Sequence, residues 1–99
     1  MINKLTYKIA DILIDNEYTE IVVKNRITND KVDVEHANIK FRYKSEGDKG
    51  YLDIGTSKEN TIFEIEEDEI DEVSIDNDSL TIETKNKIYY CYRKQHIAY

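Results

Sequence analysis

The first segment of the chain repeats apolar residues at helical spacing. They recur at steps of three and four with charged residues between them, which predicts an amphipathic helix over about residues 3–16. Asn3 is the expected N-cap, and the Asp15–Asn16 pair is the expected end of the helix. The stripe expected to face the core consists of Ile2, Leu5, Ile9, Ile12 and Leu13.

From residue 18 onwards the spacing changes to two, which indicates β-strands between about residues 18 and 94. The strongest hairpin signal is Glu46–Gly50. The Ala37–Asn38 pair is the expected position of a bulge or short turn that resets the register. The acidic stretch 66–72 predicts a turn or a single helical turn. Further turns are predicted at Thr28–Asp30, Ser57–Asn60 and Asp76–Asp78.

The last hairpin allows two registers. A two-residue loop at 85–86 would pair Thr81 with Tyr90, whereas a three-residue loop over 85–87 would pair Ile82 with Tyr90. Hydrophobic burial favours the three-residue loop, because it gathers on one face Leu80, Ile82, Ile88, Tyr90 and Tyr92.

These elements predict an α+β fold. The N-terminal helix is expected to pack on an antiparallel, meander-like sheet of five to seven strands. The length of 99 residues suits a single domain, 1–99, with a modest core.

Composition excludes several classes of protein. No apolar run approaches the ~20 residues that a membrane-spanning helix needs. Charges near the N-terminus argue against a signal peptide. The single cysteine, Cys91, cannot form an internal disulfide. We therefore expect a cytoplasmic protein with no membrane partner.

The net charge of −7 is unevenly distributed. Residues 1–58 are balanced, residues 59–84 hold eleven acids and no base, and residues 85–99 hold four bases and no acid. Such a block serves either solubility alone or recognition of a basic surface, and ordinary surfaces intersperse both signs. On alternating strands Glu64, Glu66, Glu72 and Glu83 would share the outer face. The residues expected to bind a partner, with exposed tyrosines as anchors, are Glu64, Glu66, Glu67, Asp68, Glu69, Asp71 and Glu72.

The run EIEEDEIDEVSIDND (residues 64–78), in a short acidic chain with many tyrosines, resembles the small inhibitors that phages make against bacterial defence systems. Anti-CRISPR proteins are the best-known group, and bacterial immunity proteins against toxins share this profile. The resemblance is one of class and transfers no individual residue role. It implies a non-enzymatic protein in a bacterial host cell that occupies the basic, nucleic-acid-binding surface of a target protein.

Two other functions use the basic residues of the chain. Lys40, Arg42 and Lys44 alternate with Phe41 and Tyr43, a pattern that can bind single-stranded nucleic acid through phosphates and bases. The strict alternation instead places the two aromatic residues in the core, and the net charge opposes binding to phosphates. The basic strand could also pair with the acidic block of a second copy, which would make the protein a homodimer or larger homo-oligomeric module.

The sequence offers no recognisable metal site, cofactor motif or catalytic group. Its soft metal ligands are His36, Cys91 and His96, whose spacing fits no zinc pattern. The stretch Asp76–Ser79 lacks the glycine and glutamate of a calcium loop. No nucleophile has a recognisable base partner, so we expect neither an enzyme nor a cofactor.

Overall fold

The computed structural model describes residues 4–93 and begins with one α-helix, α1 (Leu5–Asp15). Lys4 takes the N-cap position, and Asn3, the predicted cap, lies outside the described residues. The helix ends at Asn16, as predicted, and the Asn16 side-chain amide donates a hydrogen bond to the carbonyl of Ile12 (2.8 Å). The predicted stripe is wrong at Leu5, which is exposed. The face buried against the strands consists of Thr6, Ile9, Ala10 and Leu13.

Eight antiparallel strands follow within residues 4–93 and form two sheets. A five-stranded sheet has the order β2-β1-β8-β7-β6, and a three-stranded sheet has the order β3-β4-β5. A 3₁₀ turn (Glu67–Glu69) lies between β5 and β6. The strands are β1 (Glu20–Asn25), β2 (Lys31–Val34), β3 (Asn38–Lys44), β4 (Lys49–Ser57), β5 (Asn60–Glu66), β6 (Ile70–Ile75), β7 (Ser79–Thr84) and β8 (Lys87–Tyr92).

The α+β class is confirmed, with the helix packed on antiparallel strands. The division into two sheets is the main difference from the expected single meander. Only β3-β4-β5 and β6-β7-β8 are meanders, and β1 pairs with β8 from the far end of the chain. Membership of a sheet depends on these long-range pairs, which local spacing does not encode.

Two predicted turns prove to be the crossings between the sheets. The chain leaves β2 through a turn at Glu35 and His36, where His36 has a φ of 51°, and enters β3 in the other sheet. The predicted reset at Ala37–Asn38 is therefore a change of sheet. The single helical turn predicted within 66–72 is present as the 3₁₀ turn, and it returns the chain to the five-stranded sheet.

The predicted register of the last hairpin is wrong. Thr81 pairs with Tyr90 and Ile82 with Tyr89, which is the register of a two-residue loop. The inward face therefore takes Tyr89 and Cys91, and these residues lie opposite Val23 and Ile21 of β1. Burial against β1 on the other side of β8 decides the register.

One hydrophobic core joins the helix and both sheets. Its fully buried members include Ile9 and Leu13 of α1, Leu52 and Ile54 of the three-stranded sheet, and Ile82 of the five-stranded sheet. Among residues 4–93, no helix is both long and apolar enough to cross a membrane.

Candidate functional site

The seven predicted partner-binding acids lie on one continuous segment. It covers the end of β5, the 3₁₀ turn and the start of β6. Glu64 and Glu66 belong to the three-stranded sheet, whereas Glu72 and Glu83 pair with each other in the five-stranded sheet. The prediction that these four glutamates share one outer face is therefore wrong.

Three of the seven acids are engaged within the chain. Arg42 pairs with Glu64 (2.7 Å), and Lys49 pairs with Glu66 (3.0 Å). Glu67 is half-buried and accepts hydrogen bonds from the backbone N–H groups of Leu5 (2.7 Å) and Thr6 (2.9 Å) and from the Thr6 hydroxyl (2.7 Å).

Glu67 therefore caps α1 from a distant part of the sequence. The N-cap residue itself provides no side-chain hydrogen bond, so this carboxylate satisfies N–H groups that the helix leaves open. Burial alone would raise the pKa of Glu67. The hydrogen bonds from Thr6 and Leu5, aided by the charge of Lys4, outweigh burial and lower that pKa below its ordinary 4.5.

The other four acids are exposed: Asp68, Glu69, Asp71 and Glu72. Within residues 4–93 none of them forms an ion pair with a base. Glu69 accepts a backbone hydrogen bond from Glu66 (3.2 Å), which fixes the 3₁₀ turn. These four residues, called the acidic ridge below, present unbalanced negative charge to solvent.

Beside the ridge lies a cleft of about 490 Å³. It opens between β5, the 3₁₀ turn and the loop of the β7–β8 hairpin. Its acids, Glu64, Asp68, Glu69 and Asp71, come from β5, the 3₁₀ turn and β6 and are called the carboxylate wall below; Lys85 and Lys87 come from the β7–β8 hairpin and are called the lysine wall. The remaining lining residues are Ile62, Phe63, Thr84, Asn86 and Tyr89.

The floor of the cleft contains two aromatic rings in edge-to-face contact. Phe63 and Tyr89 have centroids 6.0 Å apart and an interplanar angle of 82°. Burial, followed by the charge of Glu69 and by Cys91, raises the pKa of Tyr89 to about 12. The phenol is therefore neutral and uncharged at neutral pH, with one proton to donate and lone pairs to accept.

Sequence reasoning missed this cleft. Tyr89 faces outward in the register predicted for the last hairpin, so the acids had no aromatic floor beside them. The two-residue loop was the available signal, since it places Tyr89 opposite Ile82 on the inner face. The Thr84 hydroxyl closes this loop by donating to the carbonyl of Lys87 (3.1 Å) and accepting from its N–H (3.0 Å).

One base of strand β3 already forms ion pairs within the chain. Arg42 pairs with the buried Asp53 (2.9 Å) as well as with Glu64, and its guanidinium lies 4.2 Å from the ring centre of Tyr51. Phe41 packs against the core as predicted, while Tyr43 is exposed. A nucleic-acid-binding face would thus retain Lys40 and Lys44 as its exposed cations on β3.

The basic segment 85–99 contains β8, which pairs beside the acidic strand β7 as the predicted last hairpin requires. Its described residues form no ion pair with the acidic block within residues 4–93. Arg93 instead donates to the carbonyl of Asn16 (3.0 Å). Neutralisation comes from Arg42 and Lys49, in the first half of the chain.

One group of carboxylates lies outside the acidic block. The oxygens of Glu20, Asp33 and Glu35 lie within 4.8 Å of one another, an arrangement of hard ligands that suits a cation such as Ca²⁺. Close carboxylates are also common without an ion, so the cluster by itself assigns no metal. Cys91 is fully buried, and burial raises the pKa of its thiol to about 12. His96 lies outside the described residues.

Comparison of the chain with protein-family models, with curated proteins and with solved structures found no match.

Proposed function

We propose that the protein is a non-enzymatic binding protein whose acidic ridge docks on the basic, nucleic-acid-binding surface of a target protein. The observation that carries the proposal is the ridge itself. Asp68, Glu69, Asp71 and Glu72 are exposed within one stretch of five residues and have no base as ion-pair partner within residues 4–93.

The electrostatics of such a surface support this role. A concentrated negative patch accelerates encounter with a positive surface and disfavours binding to nucleic acid itself. An adjacent cleft with an aromatic floor offers the buried contact that slows dissociation. We place the protein in the cytoplasm of a bacterial host cell, as a phage-type inhibitor of bacterial defence that resembles anti-CRISPR proteins.

The experiment uses two variants of equal net charge. One reverses Asp68, Asp71 and Glu72 to lysine, and the matched control reverses Asp11, Asp15 and Glu46, which are exposed elsewhere. Glu66 and Glu67 are avoided because their ion pair and hydrogen bonds support the fold. Binding is measured by interferometry against purified CRISPR effector nucleases, with duplex DNA as competitor.

We expect the wild-type chain and the control to bind a nuclease in competition with DNA, with affinity falling as salt rises. The ridge variant should lose this binding while keeping its circular dichroism spectrum. Equal losses in the two variants would mean that only net charge matters, and the ridge would then have no specific role.

A homo-oligomeric module is the second candidate, and one observation favours it. The basic strand β3 and the acidic strand β6 are both edge strands, in different sheets. Edge strands of opposite charge can pair between copies. Size-exclusion chromatography at low and high salt tests this, since pairing through charge predicts an oligomer that dissociates in salt. A monomer under both conditions would remove this candidate.

A further inference from the structure

We propose that the cleft beside the acidic ridge is a receptor for an arginine side chain of the partner. The inference rests on the proposed function and deepens it, because it names the chemical group that the cleft would recognise. It draws on the phenol in the floor, the two charged walls and the size of the cleft.

The phenol of Tyr89 is the first argument. The residue is only 3% exposed, yet its hydroxyl has no hydrogen-bond partner among residues 4–93. It lines the cleft and is not sealed from solvent. Its oxygen reaches the solvent of the cleft, so a ligand group that enters can replace water as its hydrogen-bond partner. The hydroxyl is therefore suited to a ligand that enters the cleft.

The carboxylate wall identifies the charge of that ligand. Glu69 lies close enough to Tyr89 to act on its ionisation, and Glu64, Asp68 and Asp71 extend the same wall. A guanidinium carries five N–H donors in a planar fork, so it can serve the phenol oxygen and two carboxylates together. An ammonium group has only three donors on one point charge and fits this spread of acceptors less well.

The aromatic floor of the cleft also favours a planar cation. The half-buried ring of Phe63 provides an aromatic surface to which a cation is attracted. The volume of about 490 Å³ exceeds that of one side chain, so part of the neighbouring main chain would enter as well.

The lysine wall fits an arginine that belongs to a peptide. Lys85 and Lys87 line the same cleft as the carboxylates, and within residues 4–93 neither forms an ion pair with them. An ammonium group is a donor only, so each lysine can donate to a main-chain carbonyl oxygen of the segment that presents the arginine. Because Arg42 already pairs with Glu64, three acids without an ion pair stand against these two bases, and the cleft is still net negative.

Three peptides that differ at one residue test the inference by NMR titration of the full chain. They are acetyl-Gly-Arg-Gly-amide, the lysine analogue and the citrulline analogue, which keeps the shape of arginine without its charge. We expect the arginine peptide to shift the amide signals of residues 62–64 and 84–89. The lysine peptide should bind several-fold more weakly and the citrulline peptide at least about tenfold more weakly, as for a lost charged hydrogen bond.

Two conservative variants and a control locate the site. Tyr89→Phe should weaken binding of the arginine peptide about fivefold, the typical value of one hydrogen bond, without lowering stability to urea. Glu69→Gln keeps an acceptor for the backbone of Glu66 and should weaken binding about tenfold. Asp78→Asn removes an equal charge away from the cleft and should leave binding nearly unchanged.

Equal binding of the arginine and citrulline peptides, or no shifts at the cleft, would overturn the inference. So would a Tyr89→Phe variant that folds and binds like the wild type. If that variant failed to fold, Glu69→Gln and the citrulline peptide would decide. The ridge variant tests the proposed function separately: lost nuclease binding together with normal binding by Tyr89→Phe would retain the ridge and reject the arginine receptor.

Discussion

The carboxylate of Glu67 lies at the N-terminus of a helix whose first residue precedes it by 62 positions in the sequence. It accepts three hydrogen bonds there, from Leu5 and Thr6, although the four acids that follow it, Asp68 to Glu72, are exposed. The sequence places Glu67 among the partner-binding acids, because composition does not distinguish a carboxylate that binds a helix terminus from one that remains exposed.

We expect Glu67→Gln to lower the free energy of unfolding by about 1 kcal/mol at pH 7, as for the loss of a helix cap. The folded-state pKa of Glu67 is lowered, so its contribution is complete above the ordinary value of 4.5 and is lost as pH falls through the folded-state pKa. Urea unfolding at neutral and acidic pH measures this. The gap between wild type and variant should narrow in acid.

The exposed Glu46→Gln variant is the control and should match the wild type in urea at neutral pH. If the difference in free energy of unfolding between wild type and Glu67→Gln stayed constant from neutral to acidic pH, the ionised carboxylate would not be what caps the helix.

At the scale of elements, the junction of α1, β4 and the 3₁₀ turn positions the acidic ridge. Gly50 of β4 lies under this junction. A Cβ atom there would collide with the Thr6 hydroxyl and come within 3.2 Å of the Phe41 ring and 3.3 Å of the Glu67 carboxylate. Helix and turn can therefore approach β4 because this position has no side chain.

Gly50→Ala should destabilise the protein by about 1–3 kcal/mol, the usual cost of overpacking. It should also accelerate hydrogen exchange at the amides of Leu5 and Thr6, since these groups bind Glu67 above the glycine. Gly47→Ala is the control: its φ of 84° strains the backbone, but its surroundings allow a Cβ. That variant should lose stability without faster exchange at the amides of Leu5 and Thr6. Equally faster exchange at these amides in both variants would show that Gly50 has no specific role in the contact between helix and turn.

The pairing of β6 with β7 places Glu72 directly opposite Glu83. Like charges at such positions cost about 0.2–1 kcal/mol. Glu72→Lys should therefore raise the free energy of unfolding by about 0.5 kcal/mol at low salt, and the gain should fade at high salt. The exposed Asp78→Lys carries the same charge change in the β6–β7 turn, and an equal gain there would assign the effect to net charge.

On the scale of the whole molecule, the acidic block is only partly neutralised. The ion pairs within residues 4–93 that involve this block use Arg42 and Lys49, while the acidic ridge has none. A surface that binds a basic partner retains such repulsion at some cost in stability.

Added salt should therefore stabilise the protein. Raising ionic strength from about 0.01 M to about 1 M shortens the screening length from about 30 Å to about 3 Å. We expect the free energy of unfolding to increase by about 1 kcal/mol, which corresponds to a rise in Tm of about 4–8 °C for a domain of this size. Sodium chloride and tetramethylammonium chloride should act equally in calorimetry. A fall in Tm with either salt would contradict net repulsion.

The local structure and the location of the charge follow from the order of residues along the chain. The C-terminal end of α1, the Glu46–Gly50 hairpin and the helical turn after β5 follow from near neighbours, so spacing and turn residues suffice to predict them. The acidic block is likewise a property of the chain.

The sheet partners, the register of β8 and the contacts of each acid depend on tertiary contacts. Tyr89 turns inward because β8 packs between β1 and β7. Glu67 accepts hydrogen bonds because the N-terminus of α1 lies above it. Such choices depend on burial and hydrogen bonding between residues that are distant in sequence. The same long-range contacts leave the acidic ridge exposed and place an aromatic cleft beside it.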